Sequence, residues 1–234
     1  MSFFNFHIDK EKKVYTTDVT QITLLEKATE EFFKNYPRQM LRKKSIIVDK
    51  DHEVDSIFFL EKGFVQMFTY DPNGKKVLIH IFRPGAFFPL LPKISTWSTH
   101  RQYIFEAMTP IVVRKSPSDH TVEFLRQHPD ILFHTLERIT DALVGSVERF
   151  KQMNEDTNGR IVMLLQYLIK SFGKAEGRQA TINLKLTHQD VAAWIGVSRE
   201  SVTRFISELK RKKIIRVVRG GLKILDLQKL KKAA

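Results

Sequence analysis

Apolar positions change their period along the chain, and the changes mark out its elements. Within residues 18–40, Ile22, Leu25, Ala28, Phe32 and Phe33 recur near a helical repeat. That spacing gathers side chains on one face and predicts a helix, which Pro37 ends. From Ser45 to about Ser116 the pattern becomes short runs of β-branched and aromatic residues. These are Ile46–Val48, Ser56–Leu60, Phe64–Tyr70, Val77–Phe82, Tyr103–Ala107 and Ile111–Arg114. Asp71-Pro72-Asn73-Gly74 and Arg83-Pro84-Gly85 punctuate them as turns. Short strands at this spacing, with no helix between them, predict a sandwich or jelly-roll barrel.

Between Pro129 and Met153 the period lengthens again. Leu132, Leu136, Ile139, Leu143, Ser146, Phe150 and Met153 alternate four and three apart, a heptad seam suited to pairing with a second copy of itself. Packing on its own barrel is the alternative use of such a face. The polar stretch at 154–159 interrupts the seam and reads as a hinge. Ile161, Leu164, Leu165, Leu168 and Phe172 then predict an amphipathic helix, followed by a Gly-containing loop at 173–180 and a strand near Ile182–Leu186. The fold class is α+β. Three divisions follow: a β-barrel domain with a leading helix (1–128), a dimerisation helix and hinge (129–158), and a C-terminal domain (159–234).

That last domain carries the most specific pattern, HQDVAAWIGVSRESVTRFIS from His188 to Ser207. Ala192 is small where two helices must approach closely, and Gly196 falls at the turn where positive φ is cheap only without a Cβ. Val191, Ile195, Val197, Val202 and Phe205 supply the apolar contacts between the helices, and Ser198 stands at the N-cap of the second one. This is a helix-turn-helix pattern. An ordinary αα-hairpin would leave unexplained the polar set Arg199, Glu200, Ser201 and Arg204, which projects from the first turns of the second helix, where base edges are met. Ile214–Val218, the turn Arg219-Gly220-Gly221 and Leu222–Leu225 add a hairpin, making the module a winged helix.

Charge sits in the same place. The 234-residue chain has 39 Lys+Arg against 26 Asp+Glu, a formal net charge of +13. From Arg160 onward there are 17 basic and 5 acidic residues, while residues 1–159 hold 22 and 21. A basic module of this kind favours a polyanion through counterion release. An anionic membrane is a weaker partner, since no long basic amphipathic helix or lipidation motif accompanies the charge. With no cysteine, disulfides, thiolate metal sites, Cys-ligated clusters and cysteine nucleophiles are excluded. No apolar run is long enough to span a bilayer and the N-terminus has no signal arrangement. A cytoplasmic protein is expected.

The order of barrel, long helix, hinge and winged helix-turn-helix resembles the CRP/FNR superfamily, the cyclic-AMP receptor protein and fumarate–nitrate regulator relatives. The likeness spans about residues 40–225. It is most specific in Leu186-Thr187-His188-Gln189-Asp190-Val191 and in Gly196 to Arg204, with Pro129-Asp130-Ile131-Leu132 and Thr157-Asn158-Gly159-Arg160 in support. The resemblance implies a homodimeric transcription regulator that binds double-stranded DNA and meets RNA polymerase. It implies that Arg199 is bidentate to a guanine, Glu200 accepts from a cytosine amino group, and Arg204 reaches a neighbouring base and phosphate. Thr187, Ser198 and Ser201 would hold phosphates, with His188 and Gln189 beside them, and Arg219 and Gly220 would bring the wing to the backbone. For Lys210-Arg211-Lys212-Lys213, a solvated helix C-terminus is as good a reading as phosphate contact. The Arg199, Glu200 and Arg204 triplet resembles that of family members reading TGTGA half-sites.

The sensor region departs from the family pattern. Members that bind cyclic nucleotide place a Gly-Glu pair at a short helix, with an Arg-Ser pair about ten residues on. Here the stretch is Phe87-Phe88-Pro89-Leu90-Leu91-Pro92, so Leu90 replaces the acid and Pro89 the glycine, while Arg101 is followed by Gln102. Phe88, Leu90, Arg101, Gln102 and Ser146 are the candidate effector residues; Ser146 serves equally as a small residue allowing close helix approach. Cyclic AMP is disfavoured, and an apolar effector, or none, stands at least level with a cyclic nucleotide, which is kept as the alternative. A constitutive or architectural DNA-binding protein is the alternative function. A cupin-like enzyme is a distant third: Gly74 and His80 have a cupin-like spacing, but Phe82 stands where the second His should, and one His is no metal site. His120, His128 and His134 lack ligand spacing. No enzyme and no metal are expected.

Overall fold

The computed structural model describes residues 19–49, 55–74, 76–89, 103–151 and 155–233. Helix α1 (Val19–Lys34) leads into eight strands: β1 (Arg38–Leu41), β2 (Ile46–Val48), β3 (Ser56–Lys62), β4 (Val65–Tyr70), β5 (Lys76–Phe82), β6 (Phe87–Phe88), β7 (Ile104–Ala107) and β8 (Ile111–Pro117). They form two antiparallel four-stranded sheets, in the orders β1-β8-β3-β6 and β2-β7-β4-β5. The jelly roll is thus a two-sheet sandwich among the described residues, and not a cylinder closed by hydrogen bonds.

Strand β3 explains how the sandwich acquires two cores. Successive side chains of a strand point to opposite faces. Phe58 and Leu60 face inward to meet Val48, Val65, Phe88, Phe105 and Val113, while Ile57 and Phe59 face outward onto Phe33, Leu125 and Ile131. The outward set is covered by α1, α2 (Ser118–Gln127) and α3 (Pro129–Lys151). The Phe33 ring stacks on Phe59 at 4.9 Å and is fully buried. Because both faces are covered, β3 reads as a continuous apolar run and not as an alternation.

Two boundaries differ from expectation. The helix expected over 18–40 stops at Lys34, and Arg38–Leu41 becomes an edge strand registered on β8. Pro37 cannot continue a helix, and Arg114 Nη1 donates to the carbonyls of Lys34 and Tyr36, satisfying acceptors that the helix end leaves free. The expected loop at 173–180 is instead a hairpin of β9 (Gly173–Glu176) and β10 (Gln179–Ile182), and the strand lies at 179–182, not 182–186. Ile182 and Leu184 are both buried, but β10 has its ladder partners, β9 and β12 (Gly221–Ile224), only as far as Ile182.

The C-terminal core gathers α4 (Thr157–Phe172), α5 (His188–Ile195), α6 (Arg199–Arg211), β11 (Ile215–Val218), β12 and α7 (Leu227–Lys231). Asp156 caps α4 by accepting from Gly159 N at 2.7 Å, so the polar stretch read as a hinge ends in a helix N-cap. Ile81 and Met108 of the sandwich join this core, and the Phe64 and Phe172 rings meet edge-on at 5.5 Å. None of the described helices is long and apolar enough to cross a membrane.

Phe33→Ala removes a ring that α1 and the outer face of β3 share. It should destabilise the chain by about 3–5 kcal/mol, the usual cost of an emptied aromatic site. Urea denaturation followed by circular dichroism reads this as a lower midpoint.

Candidate nucleic-acid interface

The end of α6 is the part of the molecule organised to meet another, and short-range bonds fix it. Thr187 and Asp190 form a reciprocal capping box at the start of α5: Asp190 N donates to Thr187 Oγ1 at 3.1 Å, and Thr187 N donates to Asp190 Oδ2 at 2.9 Å. Gly196 closes α5 in the left-handed region with φ of 70°, and Val197 N donates to Ala192 O at 3.1 Å across the turn. Ser198 then caps α6, accepting from Ser201 N at 3.1 Å while its hydroxyl donates to Ser201 Oγ at 2.9 Å. Val191, Ala192, Val202 and Phe205 are buried between the helices. The expected helix-turn-helix is present with its predicted caps and contacts.

On the outer surface, Arg199, Glu200 and Arg204 are exposed, and among the described residues none takes part in an ion pair. Two guanidinium forks and a carboxylate therefore stand free on the first turns of a capped helix. Ser201 lies half-buried beside them, and Gln189 is exposed at the start of α5. Thr187 is placed differently from expectation: its hydroxyl donates to Asp190 Oδ2 at 2.7 Å, besides accepting from Asp190 N. Its hydroxyl proton is already committed. An anion at this helix start meets free backbone N–H groups more readily than the Thr187 side chain.

Thr203, unassigned in the sequence beyond the motif itself, ties the two helices together. Its hydroxyl donates to Arg199 O at 2.9 Å, which leaves its oxygen to accept from His188 Nδ1 at 2.8 Å. His188 Nδ1 is then the donor of this bond. Burial, then the positive charges of Lys210 and Arg199, hold its pKa below the ordinary imidazole value. Fifteen residues separate this pair, so no local spacing rule finds it.

The wing follows the expected hairpin, with β11 and β12 paired from Ile215↔Ile224 to Val218↔Gly221. Its two glycines serve different ends. Gly220, exposed at the tip beside Arg219, has φ of 92°, whereas a Cβ on Gly221 would overlap the carbonyl oxygen of Ile182 in β10. Behind α6, Lys212 pairs with Glu208 at 2.6 Å, favouring the structural reading of the basic run, and Lys213 leaves the helix with φ of 53°.

The other sequence candidates fall as follows. Leu132, Leu136, Ile139 and Leu143 lie along the outer face of α3 with relative exposures of 42, 54, 40 and 63%. Phe133, Val144 and Val147 widen that exposed apolar face. The side chains of Ser146 and Phe150 lie outside what is described, as do Met153, Leu90, Arg101 and Gln102. Phe88 has 0% exposure and stacks with Phe58 and Phe105 inside the sandwich, with Phe82 tilted against it. Those rings fill the described interior, and they offer no donor or acceptor to a nucleotide. His80 packs edge-on against Phe82 at 4.8 Å, and among the described residues no group of three His, Asp or Glu could hold a metal.

Two variants test this geometry. Gly196→Ala forces a Cβ into the left-handed region and should cost about 1–2 kcal/mol, read as a lower urea midpoint. His188 is harder to protonate folded than unfolded, so stability should fall as pH drops below the ordinary imidazole value and level off below the folded one. His188→Gln should flatten that part of the stability–pH profile.

The comparisons with known proteins fit the two halves separately. A Cyclic nucleotide-binding domain family matches residues 38–128, and a Crp-like helix-turn-helix domain family matches residues 159–233. The Global nitrogen regulator of Nostoc sp. strain PCC 7120 is 27% identical over 177 residues, covering 75% of this chain and 79% of that one. A CRP/FNR-family transcriptional regulator of known structure from Thermus thermophilus is 25% identical, with a TM-score of 0.61 over 85% of this chain and 98% of its own. A CooA variant from Carboxydothermus hydrogenoformans shares the fold at 19% identity, with a TM-score of 0.69 over 86% of this chain and 89% of its own. Both family matches, in this order along one chain and in these relatives, place it among DNA-binding transcription regulators: the chain belongs to the CRP/FNR superfamily.

Proposed function

We infer that this regulator acts as a homodimer that reads a palindromic DNA site with the start of α6. The observation that carries the reading is the free set Arg199, Glu200 and Arg204 on a helix end fixed by Ser198 and Gly196. Arg199 suits a bidentate contact to guanine O6 and N7, and Glu200 is repelled by phosphates unless a cytosine amino group meets it. The division of labour is a sandwich domain over 1–128, a dimerisation helix and hinge over 129–158 and a DNA-reading domain over 159–234. The exposed Leu132, Leu136, Ile139 and Leu143 face supports the dimer, since monomers rarely leave so long an apolar stripe in water. By family resemblance, RNA polymerase is the further partner. Leu90 in the acid position and the packed rings of Phe58, Phe82, Phe88 and Phe105 disfavour a cyclic nucleotide as the effector.

A two-fold dimer places its reading helices about one helical turn apart, roughly 34 Å. Selection from random duplexes should enrich a TGTGA…TCACA palindrome; a motif without two-fold symmetry, or none, would contradict the reading. Arg199→Ala should lose about 1–3 kcal/mol and relax preference at one G·C pair. Lys212→Ala, which removes a charge already paired to Glu208, should at most weaken binding evenly across sequences and lessen its salt dependence. Leu136→Asp with Leu143→Asp should sediment as a monomer and lose most DNA affinity, because the two half-sites no longer share one binding event. A double variant that stays dimeric removes α3 from the interface.

A further inference from the structure

The side of α3 that faces its own sandwich carries polar groups that the DNA-reading function does not use. Arg138 is half-buried and spends one N–H on Gly85 O at 2.9 Å, in the turn between β5 and β6. Among the described residues it has no ion-pair partner. One helical turn earlier, on the same face, His134 has only 13% of its side chain exposed and both ring nitrogens buried without a hydrogen bond. The Glu137 carboxylate stands 3.5 Å from Nδ1 and makes no hydrogen bond to it. Arg83, exposed in the same turn as Gly85, is close enough that its charge, after burial, disfavours the charge on Arg138; exposed Glu26 opposes this only through space.

Arg114 shows what a satisfied arginine looks like in this fold. It pairs with Glu61 and donates to the carbonyls of Lys34 and Tyr36. At Glu61 burial acts to raise the pKa, but Arg114 and Arg38 outweigh it and hold the carboxylate below its ordinary range. Among the described residues no carboxylate pairs with Arg138 in this way, and Glu26 acts on it only through space. Nor can the neighbouring chain supply one, since residues 72–105 contain no Asp or Glu while carrying Lys75, Lys76, Arg83, Lys93 and Arg101. A partly desolvated guanidinium stays charged and is costly without a counter-ion. Its planar fork matches the oxygens of a carboxylate or phosphate.

We propose that Arg138, Arg83 and His134 form a binding site for a small oxyanion-bearing metabolite, a carboxylate or phosphate, where α3 meets the β5–β6 turn. Its three donors lie outside the aromatic sandwich interior, so the phenylalanine packing that disfavours a nucleotide does not obstruct it. An anion held there bridges α3 to the sandwich. The assignment is independent of base reading by α6, and a direct ligand titration tests it without DNA.

The experiment is calorimetric titration of the full chain with inorganic phosphate and, separately, with malonate, at matched ionic strength to remove general screening. At least one probe should bind saturably, one per chain, and should shift the His134 ring resonances in the NMR spectrum. Binding of phosphate alone assigns a phosphate ligand, binding of malonate alone a carboxylate, and either supports the site. Arg138→Gln and the surface variant Arg83→Ser should each weaken binding roughly ten- to hundredfold, as expected for loss of a charged hydrogen bond. Arg138→Lys should fall between, and Arg126→Ser, at an exposed position of α2, should change nothing. Absence of saturable binding by either probe, or affinity retained in Arg83→Ser and in folded Arg138→Gln, would overturn the proposal.

Discussion

A helix end can present side chains to base edges only if it cannot rock, and here the close packing of α5 on α6 prevents that. Ala192 and Val202 are almost wholly buried at the crossing, and Gly196 adopts the left-handed turn that lets the chain double back within three residues. The bonds around this contact all depend on it. Ser198 caps α6 because the turn delivers it there, and His188 reaches Thr203 because the crossing brings the helices within hydrogen-bond range. A wider crossing would lose these together. Arg199, Glu200 and Arg204 would then sit on a fraying first turn, where holding them in register costs conformational entropy.

Helix α3 is the second organising element, because its two sides meet different surroundings. Toward its own sandwich it buries Ile131 against Phe59 and Phe87, sends Arg138 to Gly85 O, and uses Thr135 to bond its own Ile131 carbonyl. Outward it exposes Leu132, Phe133, Leu136, Ile139, Leu143, Val144 and Val147. A single helix touching the sandwich on one side and carrying an apolar stripe on the other can transmit a change at one to the other. The contacts of Ile81 and Met108 with the C-terminal core, and of Phe64 with Phe172, give the sandwich a second route to the DNA-reading half.

What was legible in the sequence was what short-range physics decides. Gly196, Ser198 and the apolar spacing of residues 188–207 each act within one or two turns, so the helix-turn-helix and its wing were readable to within a residue or two. The strands at 46–48, 56–62 and 76–82 were readable for the same reason, from composition and the turns between them. What was not readable depends on partners distant in the chain. Strand β1 exists because β8, over seventy residues on, gives Arg38 a register opposite Arg114. The filling of the sandwich by Phe58, Phe82, Phe88 and Phe105 needs four strands to converge. Thr187 illustrates a different limit: the family resemblance assigned its hydroxyl to phosphate, and the bond to Asp190 at the start of α5 competes for the same proton. The Arg138 tie to Gly85 had no local signal, because 53 residues separate the two.

The central claim is that two copies of α6 enter successive major grooves on one side of a duplex. Dimethyl sulfate probing of guanine N7 on a duplex recovered by selection tests it most directly, since N7 lies in the major groove, where the proposed reading puts Arg199. The account predicts two protected patches, related by two-fold symmetry and separated by about one helical turn, with protection lost in Arg199→Ala. Uniform protection along the duplex, or protection that survives Arg199→Ala unchanged, would contradict it.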